Sequence, residues 1–170
     1  MNAILWPEKY LPGTTDNFVS NEVIVPGLSV AEVWTYLNDT SWWEGYYKNV
    51  SAVGFESGQG PQLAAGLKFR FTTFVFPVAA EVVEWVPPTE GKPARLAWTG
   101  LIGQGTEDEL DVLHAWLIED LPGGRVRVLT QETQNGKPAR EMAVKRPNPM
   151  LNAHQDWLDG LIKTALAHQT

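Results

Sequence analysis

The sequence predicts an α+β fold, an antiparallel sheet whose apolar face is covered by a long C-terminal helix. Three observations carry this. Residues 50–133 read as successive short strands separated by turns; "NPMLNAHQDWLDGLIKTALAHQ" at the end has helical periodicity; and two short helical segments in succession follow the first strand. That succession makes a bend rather than the crossover that parallel strands would need.

The 170 residues suit a single domain spanning 1–170, with residues 1–18 as an N-terminal arm. The first strand, in "FVSNEVIVPG", alternates and stops at Pro26-Gly27. "SVAEVWTYLND" then starts a helix. Ser29 and Glu32 have capping-box spacing, and Val30, Val33, Trp34 and Leu37 form its buried stripe. In "TSWWEGYYKNV", Ser41 and Glu44 suggest a second box, while Gly45 keeps the helix short.

"VSAVGFES", "LKFRFTTF", "VAAEVVEWV" and "ARLAWTG" follow as strands, with "GQGPQLAAG" and "PPTEGKP" as connections. Lys68 and Arg70 alternate with Phe69 and Phe71, as on a strand with one wet and one buried face. After the acidic excursion "LIGQGTEDELD", "LHAWLIEDLPGGRVRVLTQET" forms a hairpin. The final helix, 148–168, is capped by Asn148 with Pro149 in its first turn. Leu151, His154, Leu158, Leu161 and Ala165 make its apolar stripe, widened by Trp157, Ile162 and Leu166.

Composition narrows the function. With 44% hydrophobic and 19% charged residues the chain has the balance of a soluble protein; it has no cysteine for a disulfide framework or thiolate site, which suits a reducing, cytoplasmic setting. A net charge of -7 with scattered Lys and Arg argues against nucleic acid as a partner. The N-terminus does not read as a signal peptide, and no stretch approaches a membrane span, so stable membrane insertion is not expected. Neither a phosphate loop, a His-Glu-x-x-His motif nor a nucleophile elbow is present. No cofactor is expected. Histidines at 114, 154 and 168, the last near the chain end, make a three-histidine metal site unexpected, and no metal is assigned. Nothing in the sequence signals an oligomeric state.

Alternation orients the hairpin. With Arg125 and Arg127 outward, Val126, Val128, Thr130 and Glu132 share the inner face, and His114, Trp116 and Ile118 share it on the preceding strand. The loop Pro122 to Gly124 then pairs Ile118 with Val128, Trp116 with Thr130, and His114 with Glu132. An inward histidine beside an inward carboxylate is either a structural lock in which each satisfies the other, or an acid–base or ligand-binding pair. His154 is a second polar residue on an apolar stripe, significant for function if it meets His114 or Glu132.

The order of elements resembles the helix-grip fold of the START-like superfamily, also called SRPBCC, and its polyketide cyclase/dehydrase-like branch. The signals are "VPGLSVAEVWTYLND", "VVEWVPPTEGKPARLAWTG" and "HAWLIEDLPGGRVRVLTQETQNG". The resemblance covers about Val19 to Ala167. It implies a curved antiparallel sheet wrapped around the C-terminal helix, with a cavity between them for lipids, sterols, polyketides or hormones.

The first reading is therefore binding of a small hydrophobic molecule, aromatic, polyketide- or lipid-like. The candidate lining is Trp43, Phe69, Phe71, Trp85, Trp98, Trp116, Ile118, Val128, Thr130, His154 and Leu158; Trp42, Trp43, Tyr46 and Tyr47 are placed near the entrance. The second reading is a cofactor-independent cyclase/dehydratase-type enzyme with His114 as acid–base and Glu132 orienting it. The third is a protein-interaction module of the chaperone-activator type using the acidic segment "GTEDELD". The sequence leaves open whether the protein is an enzyme.

Overall fold

The computed structural model describes residues 1–170. Seven strands form one antiparallel sheet: β1 (Asn17–Pro26), β2 (Val50–Phe55), β3 (Lys68–Thr73), β4 (Phe76–Val86), β5 (Ala94–Ile102), β6 (Leu110–Leu121) and β7 (Arg125–Asn135), in the spatial order β1-β7-β6-β5-β4-β3-β2. Four helices accompany it: α1 (Val30–Asn38), α2 (Trp43–Tyr46), α3 (Lys137–Ala143) and α4 (Pro149–Ala167). The α+β helix-grip architecture is the one expected from the sequence. None of the helices is long and apolar enough to cross a membrane.

The predicted register of the central hairpin is present: His114 opposes Glu132, Trp116 opposes Thr130, Ile118 opposes Val128 and Leu121 opposes Arg125. α1 begins with a complete Ser29–Glu32 capping box. The second box does not form. Asp39 instead caps the 3₁₀ turn Thr40–Trp42 through Ser41, and Glu44 accepts from the amide of Ala52. The Ser41 hydroxyl donates to Asp39 and so is not turned toward the following amides, and Glu44 is left to hold the start of β2.

α4 packs across the inner face, contacting β1, α1 and α2. Gly160 permits this approach: a Cβ there would lie 2.2 Å from the carbonyl oxygen of Tyr46. The buried side of α4 is Ala153, His154, Trp157, Leu158, Leu161, Ile162 and Ala165. Leu151 and Leu166, assigned to that stripe from spacing, are exposed because the stripe drifts around the helix and leaves both at its margins. Asn21 of β1 donates to the carbonyl of Leu151 and to Gln155, tying the edge strand to α4.

The outer face of the middle strands is also covered, which alternation alone does not predict. The N-terminal segment lies across it, and Ile4 and Tyr10 pack on Ala97, Leu113, Ala115, Leu117 and Leu129. β6 is therefore buried on both faces, which accounts for its nearly unbroken apolar run "VLHAWLI". Glu119 and Arg127 point outward as expected, yet they are buried beneath this segment and paired at 2.8 Å. Arg127 also bonds Glu22 and the carbonyl of Asn2, and Asn2 donates to Glu119.

Burial alone would raise the Glu119 pKa, but the hydrogen bonds from Asn2 and Arg127 outweigh it and hold the carboxyl below its ordinary value of 4.5. The unfolded chain therefore takes up this proton first as pH falls. The stabilisation is complete above pH 4.5 and is lost through the lower, folded value. Arg127→Met should cost about 3 kcal/mol in urea unfolding, because it strands a buried carboxylate. Glu119→Gln should flatten the loss of stability below pH 4.5, whereas an unchanged acid limb would show that the clamp contributes nothing.

Candidate functional site

The sheet's inner face divides into two regions. Toward one end, Trp43, Phe69, Leu96, Trp116, Ile118, Val126, Val128, Leu158 and Leu161 form a solid core. Toward the other, sheet, α3 and the first turns of α4 enclose a cavity of about 660 Å³. Its apolar walls include Phe71, Val78, Trp98, Leu110, Val112 and Trp157. Phe74, in the turn joining β3 to β4, and Phe76, at the start of β4, are exposed and line the cavity with Met142 of α3 and Met150 of α4.

Where core gives way to cavity, three buried polar side chains meet: His114, Glu132 and His154, each 5% exposed or less. Strand pairing brings His114 to Glu132, and α4 brings in His154 from the opposite side. Glu132 Oε2 stands 3.4 Å from His114 Nδ1 and 3.4 Å from His154 Nε2. The two imidazoles stack with centroids 4.3 Å apart and planes within 12°. His114 Nε2 is 2.8 Å from Thr130 Oγ1, and Trp98 packs edge-on against the His114 ring. Burial, then the charge of His154, holds the pKa of His114 well below the usual histidine value, leaving the ring neutral at neutral pH.

The carboxylate is supported from behind by a chain of amides. Gln134 donates to Glu132 Oε1; Asn17 donates to Gln134 Oε1 at 2.8 Å; Asn148 donates to Asn17 Oδ1 at 2.7 Å; and Asn148 accepts the amide of Met150 as the cap of α4. Each amide in the row both accepts and donates, so the network joins β7, β1 and the start of α4 to one buried anion.

Of the residues singled out in the sequence, Phe71, Trp98, His114, Glu132 and His154 line the cavity. Trp43, Phe69, Trp116, Ile118, Val128 and Leu158 belong to the packed core, and Thr130 lies beneath His114. Alternation selects their face correctly, but it says nothing of position along the strand, and the cavity occupies only one end. Trp85 is farther off. A bulge between Val82 and Glu84 returns it to the inner face, where it packs on Trp34 and donates to Asn38. The aromatic group of the second short helix is not at the mouth: Trp43 is core, Tyr47 stacks on Trp157 within the cavity wall, and Trp42 packs on Tyr36 and His168.

Helix α3 and its contribution to the mouth were not anticipated. Its signals were available: Gly136, with φ 125°, and Pro138 in the first turn. Gln134, Val112 and Leu110 could have been found by carrying the hairpin alternation two residues beyond Glu132 and two and four beyond His114. In the acidic segment, Glu109 accepts the amide of Gly105, and Asp111 is held by Tyr10 and Lys9.

The amide chain makes a stability prediction. Asn17→Leu leaves Gln134 Oε1 and Asn148 Nδ2 each without its partner, and should destabilise the protein by about 2–4 kcal/mol in chemical denaturation. A change within about 0.5 kcal/mol, the usual scatter for a surface substitution, would mean that the network is not coupled to folding.

Comparison with known proteins places this architecture. No protein-family profile and no curated protein sequence matches the chain. Among solved structures, hypothetical protein jhp0584 from Helicobacter pylori is 48% identical over 97% of both chains, with a TM-score of 0.91. TTHA0849 from Thermus thermophilus is 18% identical, with 90% of this chain and 99% of that one covered and a TM-score of 0.62. A norcoclaurine synthase point mutant from Thalictrum flavum, in complex with a transition-state analogue, is 10% identical, with 91% and 96% covered and a TM-score of 0.60. At these lower identities the likeness is one of fold. The chain has the helix-grip fold these structures share, and it belongs to the family of the Helicobacter pylori protein.

Proposed function

We propose that this single-domain protein binds a small, largely apolar molecule, aromatic, polyketide- or lipid-like, in the cavity, and docks one polar group of that molecule against His114, Glu132 and His154. The observation that carries this reading is the cavity itself: about 660 Å³ of apolar-walled space ending on three buried polar side chains. That volume is in the range of small-molecule sites, and apolar walls with a few convergent polar groups are their usual make-up. One buried nitrogen of the lining residues, His154 Nδ1, has no protein partner. The cysteine-free composition suits a cytoplasmic setting.

The second reading, a cofactor-independent cyclase/dehydratase-type enzyme, is favoured by the state of His114. A neutral imidazole can accept a proton, with Thr130 holding one nitrogen and the Glu132 carboxylate near the other to stabilise the imidazolium formed. The interaction-module reading has less support, because Glu109 and Asp111 already hold the chain's own backbone and side chains.

Native mass spectrometry of protein purified from its host should reveal a retained small molecule. Val112→Trp, which fills the cavity away from the polar group, should weaken binding of that molecule by about tenfold or more while the protein stays folded. Unaltered binding would place the ligand elsewhere. If the protein is an enzyme, His114→Ala should abolish turnover with the fold intact, and surviving turnover would reduce the His114–Glu132 pair to a structural lock.

A further inference from the structure

The spacing of the three polar groups on the cavity floor does not match hydrogen bonding. An N–H···O bond spans about 2.7–3.2 Å. Glu132 Oε2 lies 3.4 Å from each of two imidazole nitrogens, longer than a well-formed hydrogen bond to either, while facing both. Two ligand atoms about 2.1 Å from a common ion at a tetrahedral angle lie about 3.4 Å apart, which is the separation found here. All three ligand atoms fall within 4.8 Å of one another. We infer that His114 Nδ1, Glu132 Oε2 and His154 Nε2 form a binding site for one divalent first-row metal ion, with a coordination position open to the cavity.

The surroundings fit such a site. Metal-bound imidazoles usually donate their second nitrogen to an acceptor, and His114 Nε2 has Thr130 Oγ1 at 2.8 Å. The second carboxylate oxygen of Glu132 is held by Gln134, at the end of the amide chain. His154 Nδ1 has no protein partner, so turning that ring breaks no hydrogen bond at this nitrogen. Turning is required: two imidazoles parallel within 12° cannot both aim a lone pair at one ion, so the His154 ring rotates about its Cβ–Cγ bond on loading while Thr130 holds His114. Two histidines and one carboxylate with an open position are a donor set suited to zinc or iron(II). Where a three-histidine site would need a third ring, the fold supplies Glu132.

The inference goes beyond the ligand-binding reading, and its test is independent of it. Full-length protein freed of organic ligands on hydrophobic resin and of metal by chelator is titrated with Zn²⁺ by calorimetry, and with Co²⁺ as an optical reporter. One ion per chain is expected, with uptake lost in His154→Ala and Glu132→Gln. Thr130→Val should bind Zn²⁺ about tenfold more weakly, since it removes only the second-nitrogen acceptor. No uptake by the wild-type chain, or uptake unchanged in His154→Ala and Glu132→Gln, would overturn the inference. Should those variants fail to fold, Thr130→Val decides, and unchanged affinity there overturns it. Ligand retention is measured separately on the chelator-treated protein, so failure of either idea leaves the other standing.

Discussion

Burying the carboxylate of Glu132 constrains more of this molecule than any other single feature. A carboxylate at 5% exposure is tolerated only if polar groups replace its lost water. Gln134 donates to one oxygen from the same strand, backed by Asn17 and Asn148, while His114 along the sheet and His154 across from the helix face the other. Those partners sit on β6, α4, β7 and β1. The anion thus links the capped start of the long helix to the edge strand and to the central hairpin. The opposite end of the inner face needs no such arrangement and is filled by tryptophan, leucine and valine.

This division also explains why the cavity lies where it does. Polar side chains on the floor cannot be covered by a solid apolar core without leaving them unpaired. Space beside them allows a ligand group, water or an ion to complete their bonding. α3 and the aromatic turn between β3 and β4 then set the width of the opening. The outer face has a different solution: the N-terminal segment seals it and uses Arg127 to neutralise Glu119 and Glu22. One face of β6 serves the site while the other anchors the chain.

Much of this was legible in the residues. The repulsion of Arg125 and Arg127 from a core fixes the hairpin register, and with it the His114–Glu132 juxtaposition. Ser29–Glu32 and Asn148–Pro149 mark two helix starts correctly. What alternation cannot express is depth. Trp116 and His114 share a face and differ by two positions, yet one lies in the core and the other on the cavity floor, because the helix crosses the sheet at an angle. Trp85 likewise faces inward as read, through a bulge, but packs on Trp34 away from the cavity. The N-terminal covering segment was hidden because its contacts are irregular, although the apolar outward positions Leu113, Leu117 and Leu129 were a trace of it. His154 could be seen as an anomaly on its stripe, but its meeting with Glu132 is a property of the tertiary fold alone.

The central claim is that Glu132 and its two histidines are held apart to receive something other than each other. A crystal structure of protein purified from its host tests it most directly. The account predicts electron density in the cavity with an atom within bonding distance of the His114, Glu132 and His154 group. An empty, collapsed cavity, with both imidazoles closed onto the carboxylate at ordinary hydrogen-bond length, would contradict it.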